Sequence, residues 1–176
     1  MNFSSIIDSI LSKNFSPVYL LHGEENFFIR EISILFEKSV IKDENKSFDK
    51  TILYGKEVNI EDLICEAKSF PMLDDYKLII IKQAQDLKKI ENLESYINNV
   101  QRKTILVLCH NGSKVRKNSR WYKALVNNNC TIFESKSQNI KINMKTFDQL
   151  INYQKSVNAN YMAITNGKKT FCFNIL

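Results

Sequence analysis

The sequence predicts an α/β protein built on a doubly wound, mainly parallel sheet. Strand-like and helix-like segments alternate about five times between residues 4 and 133. The strand segments are short continuous apolar runs rather than alternating ones, as expected of strands buried on both faces. The helical segments repeat apolar residues three and four apart, which gives each one face for the sheet and one for water.

The elements follow in order. Ser4 to Lys13 places Ile6, Ile7, Ile10 and Leu11 on one helical face, and Asn14 and Pro17 end that helix. Val18 to Leu21 is a first strand, closed by His22-Gly23. Glu24 to Val40 is a helix with Phe28, Ile32, Leu35 and Phe36 on its apolar face. Thr51 to Tyr54 is a second strand, closed by Gly55. Asn59 caps the next helix, with Asp62 at the capping-box distance and Ile60, Leu63, Ile64 and Ala67 facing inward. Pro71 breaks the pattern, and Leu78 to Ile81 is the plainest strand in the chain. A helix is expected over Ile90 to Val100, a strand over Thr104 to Leu108, a helix near Arg120 to Val126, and a fifth strand over Thr131 to Phe133. After about Ser137 the rhythm stops. A short helix at Leu150 and Ile151 and a strand over Thr170 to Leu176 are the expectations there.

At 176 residues the chain suits one domain with a short appended piece. A chain of this size buries roughly 70% of its unfolded surface, so it needs no covalent staples. The net charge of +6 points toward an acidic partner, nucleic acid included. Lysine far outnumbers arginine, however, and the excess of Lys, Asn and Ile fits an AT-rich genome, which weakens that signal. Cys65, Cys109, Cys130 and Cys172 form no CxxC pair, and His22 and His110 are far apart, so no metal site is expected. Cys65, Cys109 and Cys130 read as small buried hydrophobes. The first fifteen residues lack a signal-peptide pattern, and no run approaches the ~20 apolar residues of a membrane span. A cytoplasmic protein without membrane contact is expected.

The turn after the first strand, His22-Gly23-Glu24-Glu25, stands where a nucleotide-binding loop would stand. A P-loop needs GxxxxGK followed by Ser or Thr, with amides and a lysine around the phosphates. Here there is one glycine, no lysine at that spacing, and two carboxylates that would repel phosphate. Glu24 and Glu25 can equally serve the positive end of the following helix. No catalytic set is expected; Asp74 and Asp75 read as a solvated loop rather than an acid–base pair. Phe70-Pro71-Met72-Leu73 is more telling. Either Met72 and Leu73 fold into the core, or they form an exposed apolar plug for a partner's pocket. The stretch from Arg102 to Lys123 carries Lys114, Arg116, Lys117, Arg120 and Lys123 with no intervening acid. It reads either as a phosphate-contacting face or as a solvated face with Trp121 and Leu125 packed on the sheet.

These same segments carry a resemblance. Pro17 to Glu31 (PVYLLHGEENFFIRE), Phe48 to Gly55 (FDKTILYG), Ala67 to Leu73 (AKSFPML), Lys77 to Gln85 (KLIIIKQAQ), Thr104 to His110 and Trp121 to Leu125 resemble, in order and spacing, the DNA polymerase III delta subunit, in a Bacteroidetes-type flavour. The resemblance implies a RecA/AAA+-like five-stranded domain with a degenerate nucleotide site. It implies no ATP hydrolysis, no cofactor, and a role in replication as the clamp-loader part that binds and opens the beta sliding clamp. An adjacent apolar pair enters the clamp's pocket in that family. Met72 and Leu73 stand at that position, flanked by Phe70 and Pro71. The second of the pair is usually aromatic, so Leu73 departs from the pattern.

Family members run about twice this length, with helical lid and collar domains. Residues 1–137 thus read as the AAA+-like clamp-binding domain. Residues 138–176 read as a divergent tail, either poorly ordered or the start of a truncated lid. Without a collar, assembly with other clamp-loader subunits would be weak or absent. DNA is a further partner if the basic face is used. Three other readings stay open: a P-loop-like nucleotide-dependent enzyme, a basic DNA-binding module, and a non-functional truncated remnant.

Overall fold

The computed structural model describes residues 2–41, 48–112 and 115–136, and the backbone of 161–165 and 170–174. Its elements run α1 (Phe3–Leu11), β1 (Val18–Gly23), α2 (Asn26–Ser39), β2 (Lys50–Tyr54), α3 (Ile60–Lys68), β3 (Lys77–Lys82), α4 (Leu93–Ile97), β4 (Thr104–Asn111), α5 (Arg120–Asn127) and β5 (Thr131–Ser135). The five strands form one sheet in the order β2-β3-β4-β1-β5, with every neighbouring pair parallel.

The apolar runs are buried as their lack of alternation requires. Val18 to Leu21, Leu78 to Ile81 and Ile105 to Leu108 are almost wholly inaccessible. On one face of the sheet Leu20, Ile79, Ile81 and Leu106 pack against α3, α4 and α5 through Leu63, Tyr96, Trp121 and Leu125. On the other face lie α1 and α2. The Tyr19 and Phe36 rings there meet edge to face with centroids 4.6 Å apart, and Phe3 contacts both Phe28 and Phe133. Helices on both faces of a parallel sheet make the fold doubly wound.

Local signals set the helix ends. Asn2 accepts from the Ser5 amide at 2.8 Å and starts α1. Asn59 Oδ1 accepts from the Glu61 and Asp62 amides and starts α3.

The structure departs from the sequence-based expectation in several places, among them Leu11, which is exposed while Ile6, Ile7 and Ile10 are buried. In place of one helix over 90–100 there is a 3₁₀ turn (Ile90–Asn92) followed by the five residues of α4. Asn98 and Asn99 end it early, since short polar side chains favour turns over helix interiors. Strand β4 runs three residues past Leu108, because Cys109, His110 and Asn111 pair with Leu21, His22 and Gly23 of β1. Cys65 is exposed rather than buried; it lies on the α3 face opposite Ile60, Leu63 and Ala67.

The chain divides into two compact units, Met1–Lys136 and Ser137–Leu176. In the second, β6 (Tyr161–Thr165) and β7 (Thr170–Asn174) pair antiparallel, with Tyr161 opposite Asn174 and Thr165 opposite Thr170. The strand expected from Thr170 is thus β7. The helix expected at Leu150 and Ile151 lies outside the described residues.

Candidate functional site

Two loops at opposite edges of the sheet carry the residues singled out from the sequence. The first leads into the amino end of β3. Helix α3 stops at Ser69, whose hydroxyl donates to the Glu66 carbonyl at 2.8 Å. The ammonium of Lys77 donates to Ser69 Oγ at 2.5 Å and lies 3.6 Å from the Glu66 carboxylate. Beyond Pro71, three consecutive amides converge on one side chain. Met72 N donates to Asp49 Oδ1 at 2.7 Å, and Leu73 N and Asp74 N donate to Asp49 Oδ2 at 2.6 and 2.9 Å. Asp49 stands just before β2 and is fully buried, and its own carbonyl accepts from Leu78 N at 2.7 Å. Burial alone would raise its carboxyl pKa. The three amides, with Lys77 nearby, outweigh burial and hold it below the ordinary value.

With the backbone clasped inward, the side chains are left facing out. Met72 is 76% exposed, Phe70 69% and Leu73 64%. Pro71 is half-buried. Met72 and Leu73 therefore do not fold into the core. Phe48, 72% exposed and adjacent to Asp49, adds a fourth large apolar side chain at this edge. Sequence reasoning gave Phe48 and Asp49 no part in the site. The partners of Asp49 lie 23 to 25 residues further on, and no local pattern marks such a pairing.

The second loop follows β1 at the carboxyl edge. Gly23 has φ +135°, and a β-carbon there would stand 2.1 Å from the Ser135 carbonyl oxygen, so only glycine fits. Ser135, the last residue of β5, then takes up the turn. Its carbonyl accepts from Glu24 N at 2.9 Å and its Oγ accepts from Glu25 N at 3.1 Å. The same hydroxyl donates to the Glu25 carbonyl at 2.8 Å. In a phosphate-binding loop such amides point at the ligand. Here two of them are already bonded to protein, and Glu24 and Glu25 flank them.

His22 and His110 sit beside this turn, opposite one another in the β1–β4 register. Both are buried, and burial pushes both imidazoles below their usual pKa; for His22, Glu134 opposes the shift and His110 adds to it. Both are therefore neutral near pH 7. The neighbouring Cys109 thiol is pushed up to about 12 by burial, so it offers no thiolate nucleophile.

The basic stretch is less one-sided in space than in sequence. Lys117 Nζ lies 3.0 Å from Glu134 and Lys136 Nζ 3.7 Å from the same carboxylate, while Arg120 Nε lies 3.5 Å from Glu94. The two acids that bound the uninterrupted run in sequence fold back onto it. Arg116 and Lys123 are exposed, Trp121 and Leu125 belong to the core, and Lys114 lies outside the described residues.

The family described as DNA polymerase III, delta subunit, matches residues 19–136. A second family, described as Type I restriction enzyme R protein N terminus, matches residues 110–176. The chain is 29% identical over 150 residues to the DNA polymerase III subunit delta of Bacillus subtilis, covering 80% of this chain and 42% of that protein. It resembles the solved structure of the Bacillus subtilis DNA clamp loader delta protein with a TM-score of 0.66 and 25% identity, over 88% of this chain and 48% of that one. A DNA polymerase III gamma subunit-related protein from Thermotoga maritima shares the fold at a TM-score of 0.53 and 15% identity, over 90% of this chain and 57% of that one. The chain thus spans about half the length of the proteins it matches, and its AAA+-like fold agrees with theirs.

Proposed function

The chain belongs to the DNA polymerase III delta-subunit family, and from that premise we propose that residues 1–136 are a clamp-contacting module that does no chemistry of its own. The observation that carries this reading is the outward presentation of Phe70, Met72 and Leu73 on a backbone clasped by Asp49. Large apolar side chains held in water are costly unless a partner covers them, and a few such anchors dominate interface energy. The proposed partner is the beta sliding clamp, with Met72 and Leu73 entering its pocket and Phe70, Pro71 and Phe48 flanking it.

The absence of catalysis is supported by the second loop. A nucleotide-dependent enzyme would need the amides that Ser135 occupies, in a place where two carboxylates repel phosphate. A DNA-binding module is disfavoured because Lys117 and Arg120 face Glu134 and Glu94. Joining the other loader subunits is ascribed, through the family resemblance, to a collar domain outside the matched region.

Calorimetry of the full chain against the beta clamp of the same organism tests the reading. Burying one such side chain contributes roughly 1.5–3 kcal/mol, so Met72→Ala with Leu73→Ala is expected to weaken binding about 100-fold or more. The urea midpoint should not move, since both residues lie outside the core. An unchanged affinity in the double variant would remove the plug from the interface.

A further inference from the structure

We infer that Asp49 is the positioning residue of the docking loop: its buried carboxylate sets the Met72–Leu73 backbone in the shape the partner meets. The inference rests on the clamp-contacting reading above and concerns a residue that touches no partner itself.

The argument starts from what the carboxylate holds. A buried charge is costly and persists only where several donors satisfy it. Asp49 has three backbone donors at 2.6–2.9 Å, on consecutive residues. Two of those residues, Met72 and Leu73, carry large apolar side chains that stand out into water. A clasp that served packing alone would hold a segment whose side chains turn inward. This one fixes a backbone whose side chains make no core.

The clasp is itself anchored. Asp49 leads directly into β2, its carbonyl accepts from Leu78 at the start of β3, and Lys77 ties down Ser69 at the other end of the loop. The loop is therefore fastened at both ends and in the middle before any partner arrives. Ordering that is complete beforehand is not charged to binding.

The variant that tests this is Asp49→Asn, which keeps the shape but turns a donor toward amides that need an acceptor. In the full chain it is expected to weaken binding to the beta clamp by roughly 10-fold or more. The loss should shrink when Leu73→Ala is already present, because Asp49 acts through the plug. A loss of the same factor in both backgrounds, or no loss, would overturn the inference. Should Asp49→Asn fail to fold, hydrogen exchange in the unaltered protein decides. The amides of Met72, Leu73 and Asp74 should exchange at least about 100-fold more slowly than in an open chain, although their side chains are exposed. Exchange at open-chain rates would sink the proposed clasp. If the unaltered chain does not bind the clamp at all, the functional reading fails, and the exchange rates still judge Asp49 separately.

Discussion

The turn at Gly23–Glu25 and the loop at Met72–Asp74 are built by the same device and have opposite effects. In each, one residue from a distant segment captures consecutive backbone amides: Ser135 at the carboxyl edge of the sheet, through its carbonyl and its hydroxyl, and Asp49 at the amino edge, through its carboxylate. At the carboxyl edge the capture fills the place where an anion would bind, and so closes a site. At the amino edge it turns the backbone inward and leaves the apolar side chains facing out, on the docking surface proposed above. The difference lies in the captured residues. Glu24 and Glu25 gain nothing from facing a ligand phosphate, whereas Met72 and Leu73 have nothing to gain from water. Both captures satisfy amides that would otherwise need water.

The largest test of the contrast is at Gly23. Gly23→Ala should destabilise the fold by about 3 kcal/mol or more in urea unfolding, because the added carbon meets a backbone oxygen at 2.1 Å and φ is +135°. A smaller loss would mean the closed turn is slack. Ser135→Ala removes the hydroxyl that both accepts and donates at Glu25, and should cost about 1–2 kcal/mol. Calorimetry with ATP and magnesium should still register no binding, since Glu24 and Glu25 remain; measurable binding would make Ser135 the sole lock.

Acid should then separate the two edges. His22 and His110 are depressed below 6.5 by burial, so the unfolded chain takes up protons first and stability falls as pH drops below 6.5. The contribution of Asp49, depressed below 3.8, is full above 3.8 and is lost only as pH falls through its folded-state value. Urea midpoints from pH 7.5 to 2.5 should place the loss that disappears with His22→Asn in the upper window. The gap between the unaltered chain and Asp49→Asn should narrow only in the lower one. The increment from Ser135→Ala should hold constant throughout, because a hydroxyl does not titrate there. The smallest effect is expected at the basic stretch. Neutralising Lys117 and Arg120 should lower stability in urea unfolding by no more than about 1 kcal/mol for each pair, since exposed ion pairs contribute roughly 0–1 kcal/mol.

What could be read from the sequence followed the range of the interaction. Apolar runs and helical spacing act over a few residues, and they disclosed five strands, their parallel arrangement and the Asn59 cap. The adjacency of Met72 and Leu73 to Pro71 marked the loop but could not decide between core and surface. The three amides that settle it are held by Asp49, from the segment just before β2. Ser135 acts across 110 residues, and Glu94 and Glu134 reach the basic stretch only after α5 packs. Pairings of this kind have no signature in either segment taken alone. Cys65 was misplaced for a simpler reason: apolar neighbours in sequence are not neighbours on a helix face.

Strand β1 is the first strand of its unit in chain order, yet its two partners in the sheet, β4 and β5, are the last. A nascent chain must therefore hold the Val18–Leu21 run without a strand on either side until more than eighty further residues have emerged. The amides of Glu24 and Glu25 wait longer still, for Ser135 closes β5. A chain arrested between β4 and β5 would carry an unlocked turn and one bare side on β1. Such intermediates are natural clients for a chaperone at the ribosome's exit.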